Sequence, residues 1–112
     1  MTEIVAQNLP HATATIEFRE SYPPQAPTEA GARLLEMYSK ASVDAGFGPI
    51  GALPPADRGA GDLNFVAPFV PGIDGLGAHG SGAHTDNEDL EIASIERGAI
   101  RAAILIYRLT RP

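Results

Sequence analysis

The sequence contains no cysteine, and its basic residues are few. Without cysteine the chain can form neither a disulfide nor a thiolate metal site, so any metal must take histidine or carboxylate ligands. Lys and Arg together number 8 against 14 Asp and Glu, which gives a net charge of −6. This balance argues against a nucleic-acid surface and against a polybasic membrane contact, because both need clustered cations.

Long apolar runs are lacking as well. No stretch of the 112 residues reaches membrane-spanning length. Residues 1–7 show neither the basic start nor the apolar core of a signal peptide. We therefore expect a soluble, cytoplasmic protein that makes no membrane contact. A chain of this length predicts one small domain with a modest core, and it contains no internal repeat.

The first half of the sequence predicts two extended segments around a helix. Polar and apolar residues alternate over Thr13–Arg19, which predicts a strand with one buried face. A helix is predicted over 28–45, with the threonine at its first position as the N-cap and Gly46 as the stop. Phe47–Leu53 then predicts an edge strand or an extended link. Ahead of these segments, Glu3–Asn8 resembles the tail of a helix that a proline ends.

Glycine becomes dense between residues 59 and 82, so the predicted elements there are short. Leu63–Val70 predicts a short helix or turn that Pro68 interrupts. Ile73–Leu76 predicts a buried strand, and a loop follows it over 75–84.

The last helix gives the clearest pattern. Ser94 is its predicted N-cap, and Arg108 and Arg111 at its end match the helix dipole. Its second half, 99–109, leaves almost no polar face. A helix that is apolar all round must be buried on more than one side, and 112 residues offer little mass to bury it. This pattern indicates that the chain is part of something larger.

The loop after the third predicted strand has the spacing Gly75-x-Gly77-x-x-Gly80. This spacing formally fits a dinucleotide-binding fingerprint. No helix opens at the third glycine and no βαβ unit surrounds it, so the context argues against a nucleotide site. The glycines either permit a tight turn or let a ligand approach the backbone closely.

His84 is the candidate metal ligand. It lies in the glycine loop, and Asp86, Glu88 and Asp89 follow it. Histidine and carboxylates together suit zinc or another divalent cation, although a single loop histidine is more often structural or merely exposed. His79 is a weaker candidate in the same loop.

Arg19 is the candidate for substrate binding. It ends the polar face of the first predicted strand, where a solvated charge is the simplest interpretation. The alternative is capture of a carboxylate, because the planar guanidinium donates two parallel hydrogen bonds to that group.

Three runs of sequence followed by an apolar helix resemble the end of a known family. The runs are Arg58-Gly-Ala-Gly-Asp-Leu-Asn-Phe65, Gly72-Ile-Asp-Gly-Leu-Gly77 and Gly80-Ser-Gly-Ala-His-Thr-Asp-Asn-Glu88. In this order they resemble the dizinc aminoacylase/carboxypeptidase family (metallopeptidase family twenty), and glutamate carboxypeptidase in particular. The family pattern is a Gly-Gly-Ser-Asp-like turn, a Pro…Gly-Leu-Gly strand, a Gly-x-Gly-x-His-x-x-x-Glu loop and a long apolar helix. The resemblance covers most of residues 13–112.

The resemblance implies an α/β (α+β) fold in two parts. Residues 1–55 correspond to the second half of a lid or dimerisation domain, built as strand, helix, strand. Residues 56–112 correspond to the C-terminal part of a zinc-peptidase α/β catalytic domain. In the family the last helix packs on a central sheet, and members are dimers.

The resemblance also implies a function and a site. Family members are metal-dependent amide hydrolases, exopeptidases or deacylases, which act on a small peptide or an N-acyl amino acid through a zinc-activated water. His84 matches a ligand of one of the two zinc ions. Glu88 matches a residue that supports a ligand or fixes the loop, Arg19 lies near a lid arginine that binds the substrate carboxylate, and Gly82 lets backbone meet substrate.

Two departures from the family pattern limit what this chain can do. Gly61 stands where the family turn usually carries a hydroxyl residue. The other metal ligands and the glutamate general base lie outside this sequence, so no catalytic residue is predicted within it. We expect the chain alone to be inactive, because one histidine cannot hold two zinc ions. The alternative is a non-catalytic module, truncated from such an enzyme and self-associating as a homo-oligomer.

Overall fold

The computed structural model describes residues 1–19, 21–23, 25–54 and 57–111. These residues form four helices, and none of them forms a strand. The helices are α1 (Thr2–Ala6), α2 (Glu29–Asp44), α3 (Leu63–Val66) and α4 (Ile92–Thr110). None of the helices in the described part of the chain is long and apolar enough to cross a membrane.

Helix α2 confirms the helix predicted over 28–45. Thr28 is extended, with φ −125°, and its hydroxyl oxygen accepts a hydrogen bond of 3.0 Å from the Gly31 amide. This bond satisfies one of the amides that lack a partner in the first turn of any helix. After the helix, Gly46 adopts φ +81°, a left-handed conformation that glycine reaches without a steric penalty.

Helix α4 is confirmed, but it begins earlier than predicted. Its first residue is Ile92 and its N-cap is Glu91, so the prediction that Ser94 caps it is wrong. Ser94 is instead fully buried inside the first turn. The basic C-terminal end is confirmed for Arg108, whose Nη2 lies 2.6 Å from Asp44 Oδ2 at the end of α2.

The core lies between α2 and α4 and has a polar centre. Its buried apolar residues are Tyr38, Ala41 and Leu105. Beside them Arg101 of α4 is only 8 % exposed, and its Nε donates a 2.9 Å hydrogen bond to Oγ of the fully buried Ser42. The guanidinium carbon also lies 5.3 Å from the centroid of the Phe47 ring, which makes a cation–π contact.

Helix α3 contacts the proline-rich segment, which is the part of the chain from Tyr22 to Pro27 that the structure describes. The buried side chain of Asn64 donates a 2.6 Å hydrogen bond to the Pro23 carbonyl. Next to it, the rings of Tyr22 and Phe65 lie 5.0 Å apart. The short helix or turn predicted over 63–70 is therefore confirmed, with the helical part ending before Pro68.

The α/β prediction is wrong. Thr13–Arg19 is irregular, and Phe18, which we expected on its buried face, is 66 % exposed. Phe47–Leu53 is an irregular link rather than an edge strand, and Ile73–Leu76 is not a strand either. The physical reason is that a strand needs an extended neighbour to share its backbone hydrogen bonds, and among the described residues no such bond joins any of these three segments to another extended segment. The strand–helix–strand lid half and a sheet in the catalytic part are thus both absent from the described residues.

The chain is extended rather than compact. Its radius of gyration is 19.6 Å, whereas a compact domain of this length has about 13 Å. Its accessible surface is 9055 Å², against about 5,900 Å² for a compact monomer of 11.7 kDa. Helix α4 is accordingly buried on one side only in the single chain. The predicted boundary between residues 55 and 56 lies outside the described residues and stays a prediction.

Candidate functional site

The glycine loop, predicted over 75–84, spans residues 77–91 in the structure, and both of its ends lie against α4. Its two arms form a neck in which residue 79 meets 91 and residue 81 meets 89. The Glu91 amide donates to the His79 carbonyl at 2.9 Å, and the Asp89 amide donates to the Ser81 carbonyl at 3.0 Å. The Asp89 carboxylate adds two bonds, accepting from the Ser81 amide at 2.7 Å and from the Ser81 hydroxyl at 3.0 Å.

Glycine at position 80 is required by the closeness of the two arms. A Cβ atom built on Gly80 would overlap the carbonyl oxygen of Asp89. Since a backbone atom cannot swing away as a side chain can, any larger residue would force the neck open. The neck therefore requires glycine at position 80 as well as its hydrogen bonds.

Ser94 joins the neck to the first turn of α4 through hydrogen bonds. Its hydroxyl oxygen accepts a 2.7 Å hydrogen bond from the His79 amide, and the same oxygen lies 2.6 Å from the Glu91 carbonyl, to which it can donate. One turn further along, a Cβ on Gly98 would come within 2.9 Å of the Leu76 carbonyl oxygen. The loop thus lies directly against the helix backbone at two successive turns.

The tip of the loop, residues 82–88, is a tight turn built on two left-handed residues. Gly82 has φ +65° and His84 has φ +66°. Thr85 closes the turn, because both its amide and its hydroxyl donate to the Gly82 carbonyl, at 3.0 and 2.7 Å. The Glu88 amide then donates to the Thr85 carbonyl at 3.2 Å.

His84 is the notable residue of this tip. It is exposed, and it holds a conformation that is uncommon for a residue with a side chain. His11 has a similar φ of +64°, so this conformation does not by itself mark a site. At His84 it is accompanied by the hydrogen bonds of Thr85 to the Gly82 carbonyl. The turn leaves His84 exposed to solvent.

The predicted site residues are brought together in part. Gly82, His84 and Glu88 lie in the same turn, and all three are exposed. Arg19 lies in the irregular N-terminal segment, where its Nε is 3.0 Å from Oε1 of Glu17 and both side chains are largely exposed. The strand on which the role of Arg19 depended does not form, so its contribution to a site stays a prediction with weaker support.

Two residues at the neck have structural roles that the sequence did not predict. Asp89 was grouped with the acidic residues after His84, yet its carboxylate is engaged by Ser81 in closing the loop. Ser94 was predicted as a helix cap, yet it joins loop to helix. The sequence did carry a signal for this neck, because Gly80-Ser81 precedes the loop tip and Asp89 follows it. Serine and aspartate side chains readily form hydrogen bonds with backbone groups across a turn.

A charged pair stands at the base of the neck. Arg97 Nη2 lies 2.6 Å from Glu91 Oε2. The hydrogen bond from Arg97 and then its positive charge hold the pKa of the exposed Glu91 carboxyl below its ordinary value, and His79 contributes in the same direction. Glu91 therefore stays ionised to lower pH than a free glutamate does.

Two shallow grooves lie on the described surface. One of ≈ 330 Å³ runs along the neck, and it is lined by His79, Gly80, Ser81, Asp89, Leu90 and Glu91. The other, of ≈ 320 Å³, lies between the proline-rich segment and α3, and its lining includes Tyr22, Arg58 and Asn64. His84 lines neither of these two grooves.

The residues present suit one metal ligand rather than a complete site. Among the described residues no group of three or more His, Asp or Glu side chains is placed to hold a metal ion. A zinc site needs three or four ligands. An exposed imidazole on a rigid turn fits as one of them, and the other ligands would have to come from outside these residues.

The chain matches no protein-family model, and no curated protein or solved structure matches it. The family resemblance therefore rests on the residues quoted above. Gly61 adds a structural observation to it: a Cβ at this position would overlap the carboxylate of Asp74. Asp74 is exposed and its side chain can turn away, so this overlap does not exclude the hydroxyl residue that the family turn carries.

Proposed function

We propose that this chain contributes His84 as one zinc ligand to a dizinc amide hydrolase of the exopeptidase or deacylase type, acting in the cytoplasm. The observation that carries the proposal is the loop tip, in which His84 is exposed, left-handed and fixed by the Thr85 hydrogen bonds. A ligand held in one orientation before the metal arrives loses less conformational freedom on binding. The motif of the loop and the apolar helix after it support the same assignment.

Each residue of the tip would have a limited role. His84 would bind the metal through a neutral ring nitrogen, and the neighbouring Glu88 would orient the loop or hydrogen-bond another ligand. Gly82 has no side chain, so substrate could approach its backbone closely. When bound, the zinc pair supplies a polarised amide carbonyl and an activated water. Arg19 would bind a substrate carboxylate only if the N-terminal segment were brought to the tip.

The direct test is metal binding followed at single histidines. The purified chain would be titrated with zinc while the imidazole protons of all three histidines are observed by NMR. We expect the His84 signals to respond at the lowest zinc concentration, and His84→Ala to weaken zinc binding by at least about tenfold, the loss of one ligand. His79→Ala is the matched control, since His79 lies in the same loop outside the tip.

Two results would contradict this proposal. Equal zinc binding by the unaltered chain and His84→Ala would remove His84 from the site. Amide hydrolysis by the purified chain with zinc would show that a complete site exists within it, against the expectation that the chain alone is inactive. The second assay needs N-acyl amino acids and small peptides ending in glutamate as substrates.

A second candidate is a non-catalytic, self-associating module. Its support is the extended shape, 67 × 36 × 19 Å, and the large apolar side chains that α4 leaves exposed. A surface of this kind is typical of a chain that is covered by another chain. Zinc binding at His84 and self-association are measured independently, so the two candidates can be separated.

A further inference from the structure

The exposed side of α4 carries an ordered apolar stripe. Its members are spaced alternately three and four residues apart, and we call them the α4 seam: Ile92, Ile95, Ala99, Ala102, Ile106 and Leu109. Five of the six are exposed and Ala102 is half-buried. Spacing of this kind places all six along one line of the helix, about 26 Å long, and is the pattern by which two helices pack side by side.

The α4 seam lies away from the face that contacts α2. The residues of α4 that are buried in the chain are Ser94, Gly98, Arg101 and Leu105. Ile92 is 80 % exposed and Ile106 is 60 % exposed. The chain therefore covers one face of the helix, which is partly polar, and leaves the apolar α4 seam exposed.

The order of side-chain sizes along the α4 seam is symmetric. Read in either direction it is large, large, small, small, large, large. An antiparallel copy of the same helix would place Ile92 against Leu109, Ile95 against Ile106 and Ala99 against Ala102. Small residues at the centre let two backbones approach closely while the larger pairs fill the space at both ends. A surface that complements itself about a two-fold axis is what a symmetric dimer requires.

Charges favour the antiparallel arrangement over the parallel one. Glu96 is near the N-terminal end of α4, and Arg111 follows its C-terminal end. Antiparallel helices would oppose their dipoles and bring Glu96 of one copy to within about 9 Å, along the axis, of Arg111 of the other. Parallel helices would place each of these charges beside its own copy, which is unfavourable.

The exposed surface of the whole chain, of which the α4 seam is one part, exceeds that of a compact monomer. The chain exposes about 3,000 Å² more than a compact monomer of its mass. A standard stable interface covers about 800 Å² on each partner. Pairing along the α4 seam would bury α4 on its second side, as its nearly unbroken apolar sequence requires. We infer that the chain forms a two-fold symmetric homodimer through an antiparallel pair of α4 helices packed along the α4 seam.

The first experiment is sedimentation equilibrium on the full chain. We expect a mass twice the 11.7 kDa of one chain. Ala99→Glu, which places a charge at the centre of the seam, should weaken self-association by about 100-fold. Ala32→Glu is the matched control, since Ala32 is an exposed alanine on α2 and the charge change is identical. Circular dichroism of each variant checks that the helices persist.

The second experiment determines whether the two α4 helices are antiparallel or parallel. It uses cysteine substitutions, which are smaller than glutamate. Because the chain has no cysteine, introduced thiols report only on their own positions. Chains carrying Ala99→Cys and chains carrying Ala102→Cys, one of them tagged, would be mixed and oxidised. The antiparallel pair predicts mainly mixed disulfides between the two variants. Ala32→Cys should form no dimer crosslink above background.

Several results would overturn the inference. They are a monomer at all concentrations, a dimer that Ala99→Glu leaves intact, and crosslinks formed mainly between identical variants. Protection of the α4 seam only after a different polypeptide is added would assign that face to another partner. None of these measurements involves zinc, so failure here leaves the assignment of His84 unaffected.

Discussion

The helix pair α2–α4 and the glycine loop are held by different means. In the helix pair, the decisive contacts join residues far apart in sequence, such as Arg101 with Ser42 and Arg108 with Asp44. In the loop, the hydrogen bonds join residues at most 15 positions apart, and those that shape the tip span only two or three. The helix pair buries its side chains, whereas the loop exposes its candidate ligand, His84.

The helix pair thus provides the buried contacts that stabilise the chain, and the loop carries the candidate ligand. A buried arginine with a single hydroxyl partner ties the stability of the helix pair to one tertiary contact. The loop needs no core of its own, because Ser94 and Gly98 attach it to α4 at two successive turns. The tip therefore exposes His84 on a turn that local hydrogen bonds close.

Arg101→Ala should give the largest effect and would test the helix pair. The substitution leaves the buried Ser42 hydroxyl without its partner and removes the contact with the Phe47 ring. We expect the free energy of unfolding to fall by about 3 kcal/mol, measured by urea denaturation followed by circular dichroism. Arg97→Ala removes an arginine from the same helix at its surface and should cost at most about 0.5 kcal/mol. Equal losses for the two variants would show that burial of Arg101 is unimportant.

Gly80→Ala should give the next largest effect and would test the loop. The added methyl group overlaps the Asp89 carbonyl, so the two arms of the neck must separate. We expect a loss of about 2 kcal/mol and faster hydrogen exchange at the Asp89 and Glu91 amides. In Gly59→Ala, the methyl group meets open space, and stability should change by no more than about 1 kcal/mol. Unchanged exchange at these amides in Gly80→Ala would mean that the neck does not need glycine.

Arg97→Gln should give the smallest effect and would sharpen the electrostatic description of the neck. Arg97 lowers the pKa of Glu91 in the folded chain. The stability gained from this pair is therefore present above the unfolded pKa of Glu91 and is lost as pH falls through its lowered, folded pKa. We expect Arg97→Gln to raise the Glu91 pKa toward its ordinary value, as measured by NMR titration of the side-chain carboxyl carbon. The same titration midpoint in both proteins would exclude Arg97 as the cause.

The sequence predicted the helices better than the extended segments. Helix α2 was recognisable because Thr28 and Gly46 mark its ends through local chemistry, and α4 because its apolar pattern is long. Thr13–Arg19 has the alternation of a strand, but alternation describes a side-chain pattern and says nothing about which segment would pair with it. The start of α4 was misplaced because Ser94 bonds with His79 of the loop, a partner that its local sequence does not identify.

The sequence by itself determined two helices, a glycine-rich turn and the position of His84 within that turn. These features follow from interactions between residues a few positions apart, which the order of residues already specifies. Only the tertiary structure decided that no described segment forms a sheet, that Asp89 and Ser94 hold the loop, and that Arg101 is buried. It also decided that one face of α4 is covered and the other exposed. Each of these depends on the burial of a surface by residues distant in sequence, because the free energy of burial comes from which surfaces meet.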